Sequence, residues 1–173
     1  LWRPREGWHM VGGDASGLEL RMLGHHLARW DKGAYAKEVV EGDIHTLNQQ
    51  AAGLPTRNDA KTFIYATLYG AGNGKIGKII NKGSREGGKI RERFESKIPA
   101  LKHLVAWTKQ CASEREFIPL LDGRHAPVRS EHSALNVLLQ GDGAIVMKVS
   151  MCCLANKLKD RGWYGDKCHF MLW

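Results

Sequence analysis

The spacing of apolar residues along the chain predicts a mostly helical protein with short strands near both ends. Apolar positions recur every three or four residues in segments that Gly and Pro separate, which is the period of amphipathic helices. Residues 117–130 contain two prolines and an Asp-Gly pair, and they predict a hairpin or two short strands. Residues 8–14 and 168–173 predict further strands. Helices are predicted over residues 16–31, 33–41, 43–52, 57–69, 75–81, 84–97, 99–116 and 131–161.

The predicted order of elements is that of an α+β fold with an inserted helical subdomain. Two of the helix starts carry recognisable caps. Ser16 and Glu19 have the spacing of a capping box, and Asp43 is a suitable N-cap for the helix over residues 43–52. Because the predicted strand ends at residue 14 and the predicted helix begins at Ser16, Asp14 lies at the junction between the two elements.

Composition and charge narrow the classes of partner. The net charge of +8 favours a polyanionic ligand. The four cysteines have no C-x-x-C or zinc-finger spacing, which argues against a disulfide scaffold or structural zinc and favours a reduced, intracellular setting. The longest apolar run, residues 144–155, is short and interrupted by Lys148, so no membrane span is expected. The chain begins at Leu1 and ends in the apolar segment 170–173, which suggests a piece of a longer protein.

The helix over residues 57–69 carries a row of residues suited to a nucleotide. Arg57, Lys61, Tyr65 and Tyr69 are four residues apart and therefore lie along one face. Two positive charges followed by two hydroxyl-bearing rings match a nucleoside triphosphate. On spacing alone, a solvated basic face with tyrosines at the edge of the core is the more frequent explanation.

Other polar residues also allow two interpretations. Asp14 suits a metal site at a strand-to-helix junction, although an Asp there more often satisfies turn amides. Glu19 is either a functional carboxylate or a helix cap. Asn136 and Gln140, four apart among Leu and Val, are interpreted as buried amides that are either structural or face a DNA minor groove.

Several of these segments resemble the motifs of family A DNA polymerases, in their short-tailed-phage branch. Residues 14–21, DASGLELR, resemble motif A, and residues 57–72, RNDAKTFIYATLYGAG, resemble motif B of the fingers. Residues 42–46 resemble the start of the fingers, and residues 135–144 resemble the palm helix with a minor-groove Gln. The resemblance implies short antiparallel palm strands with helices, and an all-helical fingers subdomain. The implied divisions are palm with motif A over 1–42, fingers over 43–116 and palm again over 117–173.

The resemblance implies DNA-directed DNA synthesis by a two-metal mechanism. Asp14 would bind two Mg²⁺ ions, and Ala15 would contribute its carbonyl oxygen to one of them. Arg57, Lys61 and His45 would hold the triphosphate of an incoming dNTP. Lys61 would also protonate the departing pyrophosphate, which makes it a catalytic residue together with Asp14.

The remaining implied roles concern the sugar and the DNA. Tyr65 would stack near the sugar and base, and Glu19 beside it would block a ribose 2′-hydroxyl. Primer–template DNA would be contacted at the templating position and along the duplex. The residues with this implied role are Tyr69, Gly70, Arg124, Asn136 and Gln140.

One departure from the family limits the expected activity. Motif C, which supplies a second metal-binding Asp, does not occur in the 173 residues, so we expect this chain alone to be inactive in primer extension. A site for any processivity factor is expected outside the chain, and the implied location is the cytoplasm of an infected host. The alternative function is a non-catalytic nucleic-acid-binding module. A phosphate-loop ATPase is disfavoured because Tyr69 and Ile76 replace the Gly and Ser/Thr that its motif requires.

Overall fold

The computed structural model describes residues 3–165 and 167–168. Within these residues the chain is mostly helical, and its one sheet is a hairpin of two short antiparallel strands. The strands are β1 (Phe117–Pro119) and β2 (His125–Pro127), with Ile118 opposite Ala126. The helices are α1 (Leu18–Asp31), α2 (Ala34–Glu41), α3 (Ile44–Ala52), α4 (Arg57–Leu68), α5 (Asn73–Ile79), α6 (Ser84–Lys97), α7 (Pro99–Arg115) and α8 (Ala134–Asp160), and a short 3-10 helix, Glu131–Ser133, precedes α8.

The helices pack around one apolar core to which α1 to α8 and β1 contribute. Phe63 of α4 and Phe94 of α6 meet edge to face, with ring centroids 5.0 Å apart and an interplanar angle of 85°. This arrangement is favourable for aromatic pairs. The largest fully buried side chains are Phe63, Phe94, Leu20, Leu23, Leu27, Ile64, Leu68, Ile76, Leu104, Ile118, Leu138 and Leu139.

Each predicted helix is present, with its ends within three residues of the prediction, and the predicted hairpin also forms. The strand predicted over residues 8–14 is wrong, because this segment has no regular secondary structure. No described strand lies beside it to satisfy its backbone groups, and a lone strand is not stable. The fold is therefore mostly helical with a small sheet, rather than α+β with strands at both ends. Most of the strand predicted over 168–173 lies outside the described residues.

The two predicted caps have different outcomes. Asp43 caps α3 as predicted, because its carboxylate accepts hydrogen bonds from the backbone N–H groups of His45 at 3.1 Å and Thr46 at 3.4 Å. The capping box of Ser16 and Glu19 is wrong. The N-cap of α1 is Gly17, in the left-handed conformation at φ 60°, and no side chain caps this helix. Gly adopts this conformation without strain, so the chain turns there and Glu19 is left available for another partner.

A capping box that the sequence analysis missed begins α4. The Thr56 hydroxyl accepts from the Asp59 N–H at 3.1 Å, and the Asp59 carboxylate accepts from the Thr56 N–H at 3.2 Å. These reciprocal bonds fix the first turn of the helix that carries Arg57 and Lys61.

Within the described residues, one helical segment is long and apolar enough to cross a membrane by length and composition alone. It spans Glu131–Asp160 and therefore exceeds the apolar run 144–155 on which the sequence argument was based. Core helices of soluble proteins meet the same criterion. Gln140 and Asp142 lie within this segment and contact other elements of the fold.

Replacing Thr56 with Ala should lower the free energy of unfolding by about 1 kcal/mol, because the Asp59 N–H loses its cap. The measurement is urea unfolding followed by circular dichroism. The matched control is Thr62→Ala, since Thr62 is exposed in the interior of α4 and Ala favours helix there. Equal losses of stability in the two variants would contradict the capping role.

Candidate functional site

The polar face of α4 is exposed as a row, as the sequence spacing predicts. Arg57 and Lys61 are exposed, Tyr65 is half-buried and the Tyr69 side chain at the end of the helix is 55% exposed. The opposite face of α4 is buried through Ala60, Phe63, Ile64 and Leu68. The burial of this apolar face therefore orients the row toward solvent.

Arg57 is held by a carboxylate at the start of α3. Its Nε and Nη2 atoms donate to the two carboxylate oxygens of Asp43, at 2.8 and 3.0 Å. This bidentate bond holds the pKa of Asp43 well below its usual range and raises the pKa of Arg57 further. Local spacing identifies Asp43 only as a helix cap, since the ion pair joins residues 14 positions apart.

His45 lies between the charged and aromatic parts of the row. Its ring centroid is 6.5 Å from that of Tyr65. Burial lowers the pKa of His45, and the positive charges of Arg57 and Lys61 lower it further against the opposing effect of Asp43. Its Nδ1 atom is buried and has no hydrogen-bond partner among the residues described. The imidazole is therefore neutral near pH 7 and retains an unused polar atom.

At the Tyr69 end of the row, the side-chain amide of Gln140 on α8 connects α4 with α1. Nε2 of Gln140 donates to Oη of Tyr69 at 2.9 Å and to Oε1 of Glu19 at 3.2 Å. Burial raises the pKa of Tyr65, and the negative charge of Glu19 adds to this shift, so Glu19 also acts on the ring one turn earlier. The structure thus brings together Glu19, Tyr65, Tyr69 and Gln140. Gln140 is exposed and Asn136 half-buried, so the interpretation of both as buried amides is wrong.

A cavity of about 430 Å³ beside this contact connects it with the segment before α1. The polar residues Asp14, Glu19 and Gln140 line it, together with Ala15. Its apolar wall consists of Leu18, Leu139, Gly143, Ala144 and Met147. The predicted metal-binding carboxylate and the predicted duplex-contacting amide therefore border one space.

The donor set of this cavity does not fit two metal ions. No group of three or more His, Cys, Asp or Glu side chains suited to a metal occurs in the described part of the chain. Asp14 is exposed, and Glu19 already accepts a hydrogen bond from Gln140. One free carboxylate and a carbonyl oxygen leave most of the ligand positions of two Mg²⁺ ions unfilled.

Arg124 lies in the turn between β1 and β2 and is not among the residues that line this cavity. It is exposed, and its Nη2 atom lies 2.6 Å from a carboxylate oxygen of Asp122. Gly70 follows α4 with φ +73°, and a Cβ atom there would lie 2.7 Å from the backbone oxygen of His132. The positive φ and the close approach of the His132 oxygen therefore favour Gly at this position, independently of any contact with a template.

Nearly the whole chain matches known polymerases. The model of the family described as DNA polymerase family A matches residues 1–172. The DNA-directed DNA polymerases of Enterobacteria phage T3 and Escherichia phage T7 are each 45% identical over 96% of this chain, which covers 26% of either relative. The thermostable DNA polymerase I of Thermus aquaticus is 27% identical over 91% of the chain and 21% of its own length. The chain thus spans about a quarter of the curated phage relatives, and their higher identity confirms the resemblance to the phage branch.

The fold is also found among solved polymerases. The polymerase domain of Pol1 from M. smegmatis, in complex with a DNA primer-template and dNTP, superposes with a TM-score of 0.74 at 22% identity. The match covers 86% of this chain and 30% of that one. The family match over nearly every residue and this common fold agree with the motifs that the sequence carries. The chain belongs to DNA polymerase family A.

Proposed function

We propose that this chain forms palm and fingers parts of a DNA-directed DNA polymerase that adds dNTPs to a primer 3′-hydroxyl during phage DNA replication in the host cytoplasm. The observation that carries the proposal is the solvent-facing row of α4, which ends against Glu19 and Gln140 beside the cavity of Asp14. The proposed palm comprises residues 1–42 and 117–173. The proposed fingers comprise residues 43–116, whose described elements, α3 to α7, are all helical.

The charged end of the row suits a triphosphate. Arg57 and Lys61 are exposed cations one helical turn apart, and the neutral His45 beside them has an unpaired ring nitrogen. Asp43 accepts from Nε and Nη2 of Arg57 on one side of the guanidinium. The N–H groups of Nη1 and the second N–H of Nη2 lie on its other side and suit a bidentate contact with a phosphate.

The aromatic end of the row suits a sugar and base. Tyr65 presents a half-buried ring, and the Glu19 carboxylate lies near enough to affect its ionisation. A carboxylate at this position disfavours a further ribose hydroxyl by occupying its space. This supports Glu19 as the group that excludes ribonucleotides.

The DNA contacts are proposed along α8 and the hairpin turn. Gln140 presents an exposed amide beside the cavity, and Asn136 lies one helical turn earlier. Arg124 supplies an exposed cation on the turn, and Tyr69 with Gly70 would border the templating base. Asp14 and Ala15 are proposed as part of a Mg²⁺ ligand set. Since the described residues supply an incomplete ligand set, we assign no step to the metal here.

Replacing Lys61 with Ala should weaken dNTP binding about tenfold, because a charge-assisted hydrogen bond to phosphate is lost. Isothermal titration calorimetry of the chain with a dNTP, dNDP and dNMP series checks this and should show affinity rising with phosphate number. The control is Lys37→Ala, since Lys37 is also an exposed lysine and lies on another helix, α2. An equal loss in the control would favour a general basic surface and the alternative of a nucleic-acid-binding module. An affinity that does not depend on phosphate number would contradict a triphosphate site.

The affinity for dNTP should rise as the pH falls below 6.5, the ordinary pKa of His. The free protein holds the pKa of His45 below that value, and a bound triphosphate would raise it by supplying negative charge. The complex then binds more protons than the free protein, so acidification favours it until His45 is protonated in both. NMR titration of the His45 ring with and without dNTP measures the two values. His45→Gln, which does not titrate, removes this contribution and leaves only the ionisation of the phosphates.

Replacing Tyr65 with Phe should raise discrimination against dideoxynucleotides about tenfold, because the ring would lose the hydroxyl that compensates for a missing sugar hydroxyl. The assay compares dNTP and ddNTP incorporation in primer extension by the protein that the complete gene encodes. Tyr69→Phe is the matched control, since it removes a hydroxyl one turn along the same face. An unchanged incorporation ratio for Tyr65→Phe would contradict the placement of Tyr65 at the sugar.

A further inference from the structure

Asp142 is a fully buried carboxylate that the proposed chemistry does not use. Its side chain is 0% exposed, and among the described residues no other Asp or Glu is buried. A charge in a protein interior is costly unless hydrogen bonds compensate it. The partners of Asp142 therefore show what this position in α8 requires.

The carboxylate of Asp142 joins three elements of the fold. Its Oδ2 atom lies 2.6 Å from Nε2 of His26 on α1, and its Oδ1 atom accepts the backbone N–H of Leu121 at 2.8 Å. Burial lowers the pKa of His26. The hydrogen bond to Asp142 and the charge of this carboxylate act in the opposite direction and raise it. Each oxygen thus holds a different element against α8.

The bond to Leu121 fixes the turn that carries Arg124. Within this turn, Leu120 N–H donates to the Arg124 carbonyl and Gly123 N–H donates to the Leu120 carbonyl, both at 2.9 Å. These two bonds close the turn on itself and leave the Leu121 N–H for Asp142. The Arg124 guanidinium is in turn held by Asp122, two residues earlier.

The residue before Asp142 allows the hairpin to approach α8 closely. A Cβ atom on Gly141 would lie 2.6 Å from Cδ1 of Leu120. Gly141 and Asp142 therefore both position the hairpin against α8. Gly141 leaves room for the Leu120 side chain, and Asp142 accepts the hydrogen bond of the Leu121 N–H. Gln140, which lines the cavity, immediately precedes these two residues.

We propose that Asp142, with its carboxylate oriented by His26, is a positioning residue for primer–template binding that places the Arg124 turn in register with α8. This inference rests on the proposed function. A buried ionic pair is often no more stabilising than apolar residues of similar volume, so its contribution here lies in directing one oxygen at the Leu121 N–H. Arg124 would contact the DNA, and Asp142 would act only through it.

The test is duplex affinity in a double-mutant cycle, measured with the chain by fluorescence anisotropy of a labelled primer–template. Asp142→Ala should weaken binding about tenfold, and Arg124→Ala by a similar factor. Because Asp142 acts through Arg124, adding Asp142→Ala to Arg124→Ala should weaken binding by less than about twofold further. Additive losses would overturn the positioning role.

Two other variants separate positioning from loss of stability. Asp142→Asn keeps an oxygen acceptor for the Leu121 N–H, so it should retain affinity within about threefold. Asp160→Ala, which removes an exposed carboxylate from the end of the same helix, should change it less than about twofold. If Asp142→Ala does not fold, His26→Ala replaces it in the cycle with the same expected non-additivity. Equal losses in the Asn and Ala variants would overturn the proposal.

Hydrogen exchange of the Leu121 amide separates a failure of the positioning role of Asp142 from a failure of the proposed polymerase function. Protection should be lost in Asp142→Ala and kept in Asp142→Asn, whether or not DNA is present. Protection in the unaltered chain without any duplex binding would contradict the proposed function. Duplex binding with an unprotected Leu121 amide would contradict the positioning role alone.

Discussion

The arrangement of the site depends on the burial of one face of α4. Phe63 packs edge to face on Phe94 of α6, and Ile64 and Leu68 are buried on the same side. A helix with one face fixed in this way has no rotational freedom, so the residues on its other side are fixed as well. The two cations and Tyr69 therefore face solvent, and Tyr65 lies half-buried at the edge of the core.

The two ends of this face are hydrogen-bonded to other side chains of the protein. Asp43 binds the guanidinium of Arg57 at one end, and Gln140 bridges Tyr69 and Glu19 at the other. These are exposed hydrogen bonds, whose net stabilisation is small because water competes for the same groups. Ligand groups can therefore replace them at low cost, as the proposed binding and release of nucleotides would require.

Local patterns predicted the helices, the hairpin and the row on α4, because helical spacing and turn residues act over a few positions. They failed where a distant partner decides the outcome. The strand over 8–14 needs a neighbouring strand, which the described residues lack. The capping box of Ser16 and Glu19 failed for a local reason, because the helix begins one residue later, with Gly17 as its N-cap. The pairing of His26 with Asp142 joins residues 116 positions apart, and no local spacing predicts it.

The position of α8 follows from the polar residues within its apolar sequence. Leu135, Leu138 and Leu139 bury the first part of the helix, and apolar contacts of this kind do not by themselves fix its axial register. Asp142 does so, because its buried carboxylate requires partners at defined distances and directions, and the exposed bonds of Gln140 form in the same register. Their partners come from α1, from the end of α4 and from the hairpin, so sliding α8 by one residue would break all of these bonds together. The helix that by composition resembles a membrane span is thereby held in register by Asp142 within it.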